Sequence, residues 1–422
     1  MRPLFRRLTP YRVCLIMAGA LAAFGLIASP LNELAPGLWR ILMARGLLIT
    51  DFIALGGLGA ASMNAAISAS ASVMLLILIR AKPNGALIMC VWLVAGFSFF
   101  GKTVFNSAPI IFGVWLYSKL QKEPFSNFGL IALLSSTLGP LVGEVAHLGQ
   151  LESWGHILAA LAAGVAVGFA MPIVSAATTR VHGGYNLYNA GFAGGILAMF
   201  FMGISRYLGL EYDRPLHWSE GHDLPLAMLM YALGAGLTVL GLLSRPQDGL
   251  KAQYKRVLGH SGRLVTDYYL LYGECIYLNM GLLTFMSLTL TLLIGAPLNG
   301  GTLAGIFTII GFGSFGKHPR NCLPVMLGAI LSSALSSQGL TAPGNVLAIL
   351  LCTGLAPISG QYGWGWGMTA GFVHAMVVSH IGQGAGGMNL YNNGFVAGFV
   401  ALVLVPVILT LKKGKRTYED EI

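Results

Sequence analysis

The sequence predicts an all-α integral membrane protein with about ten to fourteen transmembrane segments, in two inverted structural repeats with discontinuous or re-entrant helices. Three observations lead there. Apolar residues make up 55% of the chain and charged residues 9%, with a mean hydropathy of +0.73, whereas a soluble domain carries roughly 25% charged residues. Residues 97–113 (FSFFGKTVFNSAPIIFG) and 312–328 (FGSFGKHPRNCLPVMLG) state one polar motif twice, at an offset of 215. Basic residues gather at both ends and in one central loop, as the positive-inside rule requires.

Taken in order, MRPLFRRLTPYR precedes a first apolar run, read as a retained helix because no small-x-small cleavage site leads into a soluble domain. Residues 1–50 hold this helix and a mixed stretch (31–50) read as interfacial or re-entrant. Repeat 1 is expected over 51–210, with apolar segments near 51–79, 84–101, 104–119, 127–147, 155–177 and 188–207. A linker helix (224–243) and a cytoplasmic loop fill 211–263. Repeat 2 spans 264–411, with segments near 268–296, 302–316, 320–336, 343–360, 364–382 and 388–411, and 412–422 form a charged cytoplasmic tail. Segments near 104, 302, 320 and 343 are shorter than the roughly 20 residues of a full span, and read as half-helices.

Charges set the orientation. Arg2, Arg6, Arg7 and Arg12 place the N-terminus in the cytoplasm, Lys412, Lys413, Lys415 and Arg416 the C-terminus, and Arg245, Lys251, Lys255, Arg256 and Arg263 the central loop. The 208–223 loop, with Glu211, Asp213, Glu220 and Asp223 against Arg214, suits the outside. Arg80, Lys82, Lys119 and Lys122 then fall inside, while the matched loops near 297–300 and 337–342 carry no charge. Arg40 and Arg45 dissent from this scheme. Both termini are thus expected in the cytoplasm of a bacterial inner membrane.

The chemistry sits in the duplicated polar residues. Gly101–Lys102 with Asn106 and Pro109, and Gly316–Lys317 with Asn321 and Pro324, share one spacing. Proline disfavours continuous helix before it, and glycine loosens the other side. A helix break at membrane depth exposes backbone groups, which is tolerated where they line a cavity or are buried in protein. Lys102 and Lys317 are expected to face each other as walls of one polar cavity and attract an anion. The bland alternative is that each snorkels at a helix end. A second pair, GGYNLYNAGFAGG (183–195) and GGMNLYNNGFVAG (386–398), supplies Asn186, Asn189, Asn389 and Asn392 as substrate contacts, though asparagine also caps helices and Tyr188 and Tyr391 would suit an interfacial belt. Asn64 and Asn279 keep the 215 offset and would face the same cavity. In a third pair, LGPLVGE (138–144) and LAPISGQ (355–361), Glu144 stands opposite Gln361, an asymmetry that suits a coupling ion or proton.

His374 and His380, six apart on an apolar run, do not share a helix face, so no metal is expected. His318 and Arg320 make the second lysine motif more basic than the first. The five scattered cysteines form no CxxC pair and read as small apolar residues. No nucleotide-binding or hydrolase motif occurs, so ATP-driven transport by this chain and enzymatic activity are not expected.

The duplicated lysine and NLYN motifs resemble the DUF1576 family of bacterial polytopic membrane proteins over most of residues 50–410, a resemblance that brings no activity with it. A fainter likeness is to bacterial urea transporters, also built from inverted repeats. Their Leu-Pro signature survives as the fragment Leu323–Pro324, facing Ala108–Pro109. The expected function is secondary transport of a small polar or anionic solute between the repeats, with a urea-like channel for a neutral solute as the alternative. A membrane-embedded enzyme or a scaffold fits less well. No cofactor is expected. The expected partners are the lipid bilayer and a small-molecule or ion substrate, not nucleic acid, and a homo-oligomer is compatible.

Overall fold

The computed structural model describes residues 9–44, 50–147, 154–209, 216–244, 246–263, 266–381 and 388–419. The charges of Arg2, Arg6, Arg7, Arg45, Glu211, Asp213, Arg214 and Arg245, and Gly386 and Gly387 of the second NLYN motif, lie outside the described residues, as do the side chains of Lys413, Lys415 and Arg416.

Among the described residues the chain is helical and has no strand. The first ten helices are α1 (Thr9–Ala28), α2 (Leu31–Met43), α3 (Phe52–Gly56), α4 (Leu58–Leu78), α5 (Gly85–Phe97), α6 (Val104–Leu120), α7 (Gly129–Ser135), α8 (Gly139–Ala146), α9 (Trp154–Val181) and α10 (Asn189–Tyr207). The next ten retrace them: α11 (Asp223–Leu243), α12 (Leu250–Val257), α13 (Tyr268–Tyr272), α14 (Ile276–Leu293), α15 (Gly300–Gly311), α16 (Pro319–Ala334), α17 (Pro343–Leu351), α18 (Ala356–Tyr362), α19 (Trp364–Ile381) and α20 (Asn392–Glu419). Packing follows the same order. α1 lies on α4 as α11 lies on α14, and α6 lies on α9 as α16 lies on α19. The first helix and the linker helix therefore occupy matched places, although the charge pattern alone sets them apart from the repeats.

Nine helices among the described residues are long and apolar enough to cross a membrane. Two of them are broken spans, Phe125–Ala146 and Pro343–Tyr362. Each breaks where a proline opens its second half: Pro140 at the start of α8 and Pro357 at the start of α18 lack the N–H that would continue the helix. The segment near 343 is thus a full, broken span rather than a half-helix. α5 and α15 are the shorter apolar helices. At 13 residues, α5 reaches about 20 Å, less than the roughly 30 Å hydrocarbon thickness.

The matched helices α5 and α15 pack against each other and run antiparallel. Gly85, which opens α5, meets Ser314 just beyond the end of α15, and Gly300, which opens α15, meets Phe99 just beyond the end of α5. Each start is capped twice. Asn84 and Asn299 accept from Leu87 N and Thr302 N within their own helices. Asp267, which caps α13, also accepts from Gly85 N, and Asp51, which caps α3, also accepts from Gly300 N. Each repeat thus caps the short helix of the other.

These caps place the loops. Ser219 donates to Asp51 and Asp223 accepts from Leu298 N, so the 216–223 loop lies at the α15 start. Ser261 accepts from Asn321, and Asp267 lies at the α5 start, so the central loop lies at the opposite end of the pair. The mixed stretch after α1 is the amphipathic α2, which buries Leu34, Gly37 and Ile41 against α3 and α4 and leaves Arg40 exposed.

Candidate functional site

The lysine motifs form two helix breaks of the same construction. Gly101 and Gly316 both adopt φ +93°, a region glycine enters freely. The Lys102 and Lys317 amides then donate back to Phe97 O and Phe312 O, each at 3.0 Å, closing the preceding helix in a Schellman-type turn. Thr103 with Asn106, and His318 with Asn321, form capping boxes that start α6 and α16. Across each break one asparagine satisfies two stranded carbonyls. Asn64 Nδ2 donates to Ser98 O and Lys102 O at 2.6 and 2.9 Å, and Asn279 Nδ2 to Gly313 O and Lys317 O at 2.8 and 2.7 Å.

Both lysines are buried, at 1% and 0% exposure, so neither snorkels to a surface. Neither has an ion pair among the described residues. Each instead crosses to the other repeat. Lys102 Nζ donates to Tyr391 Oη at 3.0 Å and lies 5.1 Å from that ring centre. Lys317 Nζ donates to Tyr188 Oη and to Thr353 Oγ1 at 2.8 Å, and lies 4.3 Å from the Tyr188 ring centre. The negative faces of these rings attract the ammonium groups in cation–π contacts.

The tyrosines are aimed by the NLYN turns. Asn186 Oδ1 accepts from Tyr188 N while its Nδ2 donates to Gly394 O at 2.9 Å; Asn389 Oδ1 accepts from Tyr391 N while its Nδ2 donates to Gly191 O at 2.9 Å. α10 and α20 meet at these glycines, and a Cβ on Gly191 would stand 3.0 Å from the Gly394 Cα. Tyr188, Tyr391, Phe97 and Phe312 enclose a chamber of about 30 Å³ here. Ring centres are 4.5 Å apart for Phe97 and Tyr391 and 5.1 Å for Tyr188 and Phe312.

Each lysine thus meets a tyrosine of the opposite repeat. The asparagines also serve the protein itself. Asn106 and Asn321 complete capping boxes and donate to Gly101 O and Gly316 O. Asn189 is held by Thr178, His182 and Ser175. Asn392 is buried, with its Oδ1 unbonded. Glu144 is buried on α8, and Gln361 is exposed on α18. His374 bonds Asn393, and the described residues hold no cluster of metal ligands.

Two further spaces adjoin the breaks. A cavity of about 450 Å³ lies beside Lys102, between α4 and α6. A polar pocket of about 120 Å³ lies near His260, His318, Arg320, Asn321 and Ser359. Partial burial holds the His260 imidazole below its ordinary pKa, and its Nε2 meets the Tyr272 hydroxyl.

Sequence reasoning missed the lysine partners. Tyr188 and Tyr391 stand in the duplicated motif, but nothing in a linear pattern says that each reaches the other repeat. Thr353 aligns with Ser136 in the third repeat pair, and both hydroxyls donate to the carbonyl three residues back, but among the described residues only Thr353 accepts from a lysine. Asp51 and Asp267 do carry one, since they precede matched short helices.

Comparison with curated proteins and with solved structures found no match. Comparison with protein families matches residues 31–207 and 247–410, most of the chain and both lysine breaks, to the family described as Protein of unknown function (DUF1576), and the chain belongs to that family.

Proposed function

We propose that this protein is a secondary transporter that passes a small polar or anionic solute across a bacterial inner membrane, at the contact between two inverted repeats. The observation that carries the reading is the pair of crossed Lys–Tyr contacts at two matched helix breaks. Burying an ammonium without a carboxylate is expensive, and such residues mark substrate or ion pathways in membrane proteins. Discontinuous helices around a pseudo-two-fold axis are where transporters build their sites. The antiparallel run of α5 and α15 supports inversion, because matched helices that point in opposite senses along the membrane normal are related by an axis in its plane. The loop ends support the orientation: Arg80 and Lys82 precede α5 at the end that carries Asp267 and the basic central loop, and Ser219 and Glu220 lie at the other.

The aromatic chamber favours a second reading, a urea-like channel for a small neutral solute, since its walls offer rings and few fixed charges. Purified protein in proteoliposomes separates the two by stopped-flow light scattering after osmotic jumps with formate, nitrate, bicarbonate or urea. Transport of an anion predicts flux above empty liposomes that falls at least about tenfold, or 1.4 kcal/mol of barrier, in both Lys102→Met and Lys317→Met. Urea flux indifferent to either substitution supports the channel. Flux no greater than that of empty liposomes for every solute ends both.

A further inference from the structure

The cavity beside Lys102 is lined in part by small side chains that differ from those at the matched positions of repeat 2. Ser68 corresponds to Leu283, Ala71 to Met286 and Ala108 to Leu323 across the 215 offset. At each of these three positions a small residue on the cavity wall stands against a larger one in repeat 2, while Phe112 and Trp115 stand against the smaller Leu327 and Ile330. At about 450 Å³ the space falls in the range of small-molecule sites.

Its chemistry is divided. From Thr103 to Trp115 the wall follows α6 for about 18 Å, and it is mostly apolar. The polar end holds Lys102, whose Nζ makes one hydrogen bond, to Tyr391. An ammonium has three donors, so this end has donors to spare, whereas Lys317 adds a second bond, to Thr353. Ser68 also lines the cavity, and its Oγ is buried with no hydrogen-bond partner. The neighbouring hydroxyls are engaged: Ser72 donates to Ser68 O, Ser107 to Thr103 O and Ser136 to Leu133 O. An ammonium with donors to spare and a free hydroxyl, both on the wall of a mostly apolar slot, ask for an anionic acceptor on an apolar body.

We propose that this cavity binds an amphipathic monocarboxylate, with its carboxylate at Lys102 Nζ and Ser68 Oγ and its hydrocarbon body between α4 and α6. The proposal rests on the reading of Lys102 as a solute contact and narrows the solute class for that half of the protein. An acyl chain of a bilayer lipid shares the hydrocarbon chemistry, so the test has to tell the two apart.

Trp115 lies in the wall and reports occupancy. Purified full-length protein in phosphatidylcholine nanodiscs is titrated with ω-bromodecanoate, whose bromine quenches tryptophan on contact. The expected result is saturable quenching that disappears in Trp115→Phe, weakens about tenfold in Lys102→Met and is unchanged in Lys317→Met. Ala71→Met with Ala108→Leu, which copies the second repeat, should abolish it. Ser68→Ala, expected to weaken binding severalfold, gives an independent reading should Lys102→Met misfold. Equal affinity in Lys102→Met and Ser68→Ala overturns the proposal, and so does equal binding of neutral ω-bromodecanol. Nanodiscs of brominated phosphatidylcholine form the last arm. Quenching of Trp115 there that decanoate does not relieve assigns the slot to lipid and also overturns it. The titration uses no gradient, so absence of flux in the proteoliposome assay and absence of binding here are separate results.

Discussion

Lys102 and Tyr391 stand 289 positions apart in the chain and are joined by a 3.0 Å hydrogen bond from ammonium to phenol. The matched pair, Lys317 and Tyr188, crosses in the other direction. Each repeat therefore stabilises the buried cation of the other, and neither break is complete alone.

The two tyrosines should not be equivalent. Tyr391→Phe removes the single hydrogen bond of Lys102, whereas Lys317 keeps Thr353 after Tyr188→Phe. Leaving a buried donor unsatisfied costs about 1–3 kcal/mol. Thermal unfolding in detergent should show the larger loss for Tyr391→Phe; equal losses would deny the asymmetry.

Asn64→Ala and Asn279→Ala should each be severely destabilising and nearly equal. Each strands two buried carbonyls at a helix break, at about 1–3 kcal/mol apiece. Asn106→Ala, which removes one member of a capping box, should lose less, about 1 kcal/mol. Denaturation midpoints of the three variants check the order.

Gly191→Val and Gly394→Val should part α10 from α20. A Cβ on Gly191 would stand 2.5 Å from Tyr391 O, and one on Gly394 2.8 Å from Tyr188 O. Both changes push on the backbone beside the tyrosines that hold the lysines, so stability and any Lys-dependent flux should fall together. A variant that keeps full flux while losing stability would separate this contact from the site.

Cysteines placed at 251–256 should label from the cytoplasmic side, and cysteines at 219–221 from the outside. The five native cysteines are all buried, so their background is low. External labelling at 251–256 would refute the inverted topology.

Glu144→Gln should weaken coupling of flux to pH or sodium while leaving solute exchange measurable, because Glu144 is a carboxylate buried within a membrane span, and such residues mark ion and proton paths. Full retention of ion dependence by the variant would remove Glu144 from the coupling role.

Much of the architecture was legible from the sequence because duplication and hydropathy are local signals. The offset of 215 marks both helix breaks, and Gly101 and Gly316 mark where each chain turns. Composition alone places the helices in a membrane. The span boundaries were harder, since an apolar run does not reveal that Pro140 and Pro357 split two spans in half while α5 and α15 stop short. The correspondence of α1 and α11 lies in what they pack against and not in shared residues, so no sequence repeat marks it. The site was decided by tertiary structure. A lysine in an apolar sequence needs a partner, but whether that partner is a solute, a carboxylate or a tyrosine from the other repeat depends on which surfaces meet. The antiparallel packing of α5 on α15 and the contact of Gly191 with Gly394 bring Tyr188 and Tyr391 across the interface. Close packing of two half-structures fixes these partners over separations that no sequence period encodes.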